Sequence, residues 1–237
     1  MLGPLAYALG RLPFHHRVAQ LYETASSWRT VRRTYPGIYQ NWVTSKTSGQ
    51  PTHGAQDQWF LGDTKLWNEF VSHVRSRTAL EIGSAPYGYL VWEHWISRRI
   101  VIDPLVERYR SQQKRMSGES LFTADIETHA IPAERVVTSL VGKIDGAIIC
   151  RNALDHCEDP FEILNNIADY ATSGCYLLLW SDIWHIGGAP IGHRNITRSS
   201  HLMDRLLDGL GFDILQNGST VREPGQVIEY GRLARKR

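Results

Sequence analysis

The chain is expected to form a three-layer α/β architecture, a mostly parallel sheet covered by helices, with a helical cap in front of it. Three observations carry that expectation. From Thr78 onward, short apolar runs alternate with longer periodic segments, which is the pattern of parallel strands joined by crossover helices. Each apolar run ends near a polar or acidic residue, at the edge where such a sheet holds its ligand. The intervening segments carry helix start and stop residues in the right order.

The runs expected as strands are TALEIG (residues 78–83), RIVID (99–103), SLFTAD (120–125), DGAIIC (145–150) and CYLLLW (175–180). Between the last two, Asp159 suits an N-cap, Pro160 the first helical position, Glu162 the capping box and Gly174 the stop. Phe161, Leu164, Ala168 and Ala171 are expected on the face of that helix that meets the sheet. A later helix carries Leu202, Leu206 and Leu210 at fourfold spacing and stops at Gly211. Beyond it, the turn signals Asn217-Gly218 and Pro224-Gly225 between apolar runs predict a terminal antiparallel hairpin. Two regions are expected: a helical cap or lid over residues 1–76, and a ligand-binding domain over 77–237. The cap is rich in Trp28, Trp42, Trp59, Trp67, Tyr22, Tyr35 and Tyr39, suited to lid packing or to an apolar acceptor pocket, and holds a polar loop at residues 44–58.

With 42% hydrophobic and 21% charged residues in 237, the chain reads as globular and long enough for a sizeable core. A formal net charge of +2, with scattered basic residues, argues against a nucleic-acid partner. Three cysteines without metal-type spacing suggest reduced thiols and a cytoplasmic setting. The apolar start, MLGPLAYALG, is cut short by Arg11, so no integral membrane segment is expected.

The stretch ALEIGSAPYGYL (residues 79–90) holds the most information about a ligand. Gly83, Ala85 and Gly88 reproduce the spacing of a dinucleotide fingerprint, with alanine where the second glycine admits a pyrophosphate. Pro86 removes a backbone donor, and Glu81 adds negative charge beside the turn. Together they favour a ligand presenting ammonium or hydroxyl groups over a diphosphate. Gly88 then restarts the chain with helical potential. Asp103, about twenty residues on, suits two ribose hydroxyls, although taken alone an aspartate there is also a helix cap.

ALEIGSAPYG, IVIDPL, FTADIE, IDGAIICRNALDHCEDPFEIL, GCYLLLW and HLMDRLLDGLGFDIL, in that order, resemble a class I S-adenosylmethionine-dependent methyltransferase of the type 11 or UbiE-like kind. Ala85 and Tyr87 depart from the usual glycine pattern. The resemblance implies a Rossmann-like, seven-stranded sheet with a C-terminal antiparallel hairpin, and S-adenosyl-L-methionine as cofactor. It places Glu81, Gly83, Ser84 and Ala85 around the methionyl group, Asp103 and Pro104 at the ribose, Asp125 and Ile126 beside adenine at the end of the third strand, and Arg151 and Asn152 near the sulfonium. His156 falls close to the transferable methyl.

A sulfonium methyl is already electrophilic, so alignment and exclusion of water come first, and a hydroxyl acceptor benefits from a base. His156 is the first candidate base, with His185 and His193 as further catalytic candidates. Asp182, His185 and His193 also suit a metal by residue type, but without recognisable ligand spacing no metal is expected. The reading is methyl transfer to a small-molecule or glycan acceptor, with oxygen as the favoured atom. The alternatives are a non-catalytic cofactor-binding partner subunit and a nicotinamide-dependent oxidoreductase.

Overall fold

A computed structural model describes residues 59–185, 188–189, 193–218, 221–222 and 227–237. The expectations for residues 1–58, including the polar loop, and for the Pro224-Gly225 turn lie outside these. Five parallel-sheet strands come first: β1 (Thr78–Ile82), β2 (Arg98–Ile102), β3 (Ile126–His129), β4 (Ala147–Arg151) and the parallel start of β5 (Tyr176–His185). β6 (Phe212–Asn217), β7 (Val221–Arg222) and β8 (Val227–Lys236) complete the sheet. β8 inserts antiparallel between β5 and β6, and the order is β3-β2-β1-β4-β5-β8-β6, with β7 paired to β8.

Strand residues alternate between two cores, as a period of two demands. Leu80, Ile82, Ile100, Ile102, Ile148 and Leu177 face one apolar cluster, whereas Ala79, Ile149, Tyr176 and Leu178 face another. The first cluster is covered by α3 (Pro160–Tyr170) and α4 (Ser200–Gly209), the second by α1 (Thr64–Val74) with Trp59 and Phe60. α2 (Val106–Ser117) covers Val101 and Ile126. Of the region expected as a cap, Trp59, Trp67, Phe70 and Val74 are buried against the sheet.

The start of α3 follows the sequence, but the helix ends at Tyr170, ahead of the expected stop at Gly174, and its buried face is wider than the expected stripe. Asp159 caps α3 by accepting from the Phe161 and Glu162 amides at 2.9 and 3.1 Å, with Pro160 first in the helix. Its buried face, however, is Ile163, Leu164, Ile167 and Tyr170, and Phe161 is 43% exposed. On α4, Met203 and Leu207 are buried and Leu202 is 51% exposed. Leu164, Ala168 and Ala171 of the expected stripe do pack into the sheet-facing cluster, as do Leu206 and Leu210 on α4; Phe161 and Leu202 stay outside it, because each helix carries more apolar residues than its sheet-facing side can cover.

Two further expectations are corrected. Residues 120–125 do not form a strand; the third strand begins at Ile126. Leu121 and Phe122 are buried in a loop, whose polar groups are met by α2: Gln113 Oε1 accepts from the Leu121 amide (3.0 Å) and Ser120 hydroxyl (2.7 Å), and Arg110 donates to the Phe122 carbonyl (3.2 Å). Side chains have replaced the ladder there, so an apolar run could be buried without pairing. Nor does Gly88 open an α-helix. The connection from β1 to β2 contains only a short 3-10 turn, Ala85–Tyr87, followed by turns that bury Leu90, Val91, Trp95 and Ile96. Among the described residues, no helix is long and apolar enough to cross a membrane.

Gly231 of β8 lies opposite Trp180 of β5, and a Cβ there would come within 2.4 Å of the indole ring. Gly231→Ala is expected to lower stability by about 1–3 kcal/mol in urea unfolding, through overpacking of a site with backbone on its other side.

Candidate active site

The loops after β1, β2, β3 and β4 converge at the carboxyl edge of the sheet around a cleft of about 130 Å³. Six of the expected site residues line it: Gly83, Ala85, Asp103, Pro104, Asn152 and His156. Tyr109, Pro132, Ala133 and Glu134 line it too, and the sequence did not single them out. The last three follow β3, and correct placement of that strand is the signal that finds them.

The glycine spacing of the first turn has a packing origin. Gly83 has φ +72°, and a Cβ on it would stand 2.4 Å from Ala153 Cβ, so loop one and the loop after β4 touch here. At Gly88 a Cβ would come within 2.9 Å of Glu81 Oε2. That missing methyl makes room for the carboxylate. Ala85 itself takes φ +50°, a left-handed conformation that costs an alanine roughly 1–2 kcal/mol. Tyr87 lies outside the cleft lining and packs with Trp92 against the α2 cluster.

Glu81 is 3% exposed; its two oxygens accept the Tyr89 and Leu90 amides at 2.6 and 2.8 Å. Burial pushes its pKa up to about 7, against the downward pull of those two amides. Asp103, also buried, accepts from the Ala85 amide (3.1 Å) and Ser84 hydroxyl (3.3 Å) through Oδ2, and from the Leu105 amide (2.7 Å) through Oδ1. It therefore ties the first turn to the start of α2 while standing on the cleft wall. Ser84 is buried behind it, and Arg151 is exposed at the end of β4. Asn152 takes φ +54° and donates its amide to the Trp180 carbonyl.

Asp125 and Ile126 are at the other end of the sheet. They start β3 rather than end it, with Ile126 opposite Arg99 and buried in the core, and Asp125 ion-paired to Arg99. The residue that ends β3 opposite Ile102 is His129, so the expected adenine-flanking position falls four residues early.

A second cluster adjoins the cleft, centred on Asp155, which is 1% exposed and was missed in the sequence. His193 Nδ1 lies 2.6 Å from its Oδ2, His156 Nε2 3.6 Å and His185 Nε2 4.0 Å. Ser181 donates to Oδ1 at 3.0 Å. Burial raises the Asp155 pKa, but the His185 and His193 imidazoles and the neighbouring His156 outweigh it and hold the carboxyl below the usual range. All three catalytic candidates thus meet at one carboxylate. Asp182 is not that carboxylate: Ser181, Ile183 and His185 are buried on one side of β5, whereas Asp182 and Trp184 alternate to the other. The signal available was Asp155 beside His156, in a loop leaving the carboxyl end of a strand.

Two predictions follow from the first turn. Gly83→Ala is expected to destabilise by at least about 1 kcal/mol in urea unfolding, whereas Ala85→Gly, which relieves strain but loosens the unfolded chain, should stay within about 1 kcal/mol of unchanged. Because Glu81 holds its proton in the fold up to about pH 7 and ionises in the unfolded chain near 4.5, its contribution makes stability fall as pH rises between those values. Unfolding midpoints across that range should lose part of their downward slope in Glu81→Gln.

No family model matches the chain, and no curated protein matches it in sequence. Solved structures do match in fold. The trans-methyltransferase CalH, in complex with S-adenosylhomocysteine, is 18% identical with a TM-score of 0.52 over 73% of this chain. The match spans only 55% of the CalH chain. A methyltransferase-like protein from Bacillus halodurans, itself assigned that activity provisionally, is 14% identical with a TM-score of 0.53, over 74% of this chain and 99% of its own. The cyclase SpnF is 13% identical with a TM-score of 0.57, over 93% and 95%. With its 3-2-1-4-5 parallel order and the antiparallel last strand inserted before β6, the chain has the fold of the class I S-adenosylmethionine-dependent methyltransferases.

Proposed function

We propose that this protein transfers a methyl group from S-adenosylmethionine to an oxygen of a small-molecule or glycan acceptor. The observation that carries the reading is the adjacency of two features: a cleft at the carboxyl edge with the Asp103 carboxylate on its wall, and a histidine cluster around Asp155 that shares His156 with that cleft. The cleft residues suit the cofactor chemically. Asp103 offers acceptor oxygens to ribose hydroxyls, Pro104 shapes the same wall, and Ile102, Pro132 and Ala133 offer an apolar slot for a flat ring. Gly83 and Ala85 leave room for a narrow, unbranched chain, with Ser84 and Glu81 behind them, the latter as a counter-charge for an ammonium; Asn152 lines the cleft and Arg151 precedes it at the end of β4.

When bound, S-adenosylmethionine supplies an electrophilic methyl on sulfur. The protein aligns the acceptor oxygen with it, excludes water, and takes the acceptor proton on His156. Asp155, close to three imidazoles, stabilises the imidazolium that results. Its buried carboxylate is kept ionised for that purpose by the same neighbours.

Titration calorimetry should detect S-adenosylmethionine and its demethylated product; binding of neither would sink the proposal. Asp103→Ala is expected to weaken that binding by about ten- to a hundredfold, the scale of one or two hydrogen bonds to a charged group. Incubation with labelled cofactor and a metabolite extract, followed by mass spectrometry, identifies the acceptor. With it, His156→Ala should lower kcat by about 10²- to 10⁴-fold while leaving cofactor affinity in place.

A further inference from the structure

Asp155, His185 and His193 reach one point from three separate stretches of chain: the loop after β4, the end of β5, and the segment that leads into α4. We propose that they bind one divalent transition-metal ion, of the zinc, cobalt or manganese type, at the edge of the cleft.

The donor atoms, one carboxylate oxygen and two imidazole nitrogens, all lie within 4.8 Å of one another. An acid–base pair of His193 with Asp155 accounts for one histidine and leaves the other unexplained. His185 is 7% exposed, and its Nε2 is buried without a hydrogen-bond partner, 4.0 Å from Asp155 Oδ2. Buried polar nitrogens are ordinarily paired, because leaving one unpaired costs about 1–3 kcal/mol. A cation held between that nitrogen, the carboxylate and His193 satisfies all three at once.

The groups are also held in place from behind. The Arg194 amide donates to the Asp155 carbonyl (2.7 Å), and Asn195 brackets His185, accepting from its amide (2.6 Å) and donating to its carbonyl (3.2 Å). Ser181 occupies the other oxygen of Asp155. Supporting contacts of this kind orient ligating side chains and raise affinity. The Arg194 guanidinium donates to the Glu158 carbonyl.

Imidazole with a single carboxylate selects transition metals over magnesium or calcium, which prefer all-oxygen shells. Three protein ligands leave coordination positions open, as in sites that act on a bound oxygen. The binding site stands without the methyl-transfer reading; its use rests on it. An acceptor hydroxyl bound to the ion loses its proton to His156. The oxygen then forms a bond to the methyl carbon as the sulfur–methyl bond breaks, with that electron pair staying on sulfur.

The test uses the full chain after chelator treatment. Cobalt is titrated with the visible ligand-field bands as readout, and zinc and magnesium by calorimetry. One equivalent of cobalt or zinc should bind at the site on the order of 100-fold more tightly than magnesium, and His193→Ala and Asp155→Asn should each weaken zinc binding by about 100-fold. His201→Ala, at an exposed position on α4, should bind as the parent does. His193 is 24% exposed at its side chain, so its variant should fold, and near-ultraviolet circular dichroism checks this. Should Asp155→Asn fail to fold, His193→Ala decides alone. Cobalt and zinc binding unchanged in folded His193→Ala, or no tighter than magnesium in the parent, overturns the proposal. S-adenosylmethionine affinity, measured separately on metal-free protein, reports on methyl transfer and not on the ion.

Discussion

Three carboxylates, Glu81, Asp103 and Asp155, are nearly withdrawn from water at the carboxyl edge of β1, β2 and β4, and each must find donors there. A buried carboxylate without partners costs several kcal/mol or gives up its charge. The donors it recruits then dictate the path of the loops. Glu81 draws in the Tyr89 and Leu90 amides and so replaces the expected helix by a compact turn. Asp103 binds the Ala85 amide and the Leu105 amide, and thereby joins the first turn to α2. Asp155 gathers three histidines and Ser181.

The three solve the problem differently, and the difference sorts their roles. Glu81 has only neutral amides within bonding reach, so burial wins and its proton affinity rises to about 7. Asp155 has imidazoles, which overcome burial and keep it charged. The first suits a group whose charge is completed by an arriving ammonium; the second suits one that holds a cation or an imidazolium in place. Asp103 sits between, spending its oxygens on the scaffold while still facing the cleft.

The same constraint explains why glycines stand at fingerprint spacing in the first turn. Gly83 lets the first turn touch Ala153, and Gly88 leaves room for the Glu81 carboxylate. Both glycines are needed by the protein's own packing. SpnF, a cyclase that shares this fold over 93% of the chain, illustrates why the chemistry must be argued from the site.

Much was legible from residues alone, and what was not has a common cause. The α/β class, the strands at 78–82 and 147–151, the Asp159-Pro160 helix start and the carboxyl-terminal antiparallel pairing follow from period, caps and turn residues, which act over a few positions. The third strand did not, because Gln113 and Arg110, on another element, satisfy the loop that an apolar run alone would assign to the ladder. The exposure of Phe161 on α3 and of Leu202 on α4 did not, because only docking on the sheet chooses which of a helix's apolar residues are covered. Asp155 is adjacent to His156 in sequence, but its meeting with His185 and His193 requires β4 and β5 to be neighbours and the segment at 193–195 to fold back onto both. Local chemistry determined which elements form. Only the tertiary structure decided which side chains share a buried carboxylate, since that depends on pairing between segments 26 to 38 residues apart.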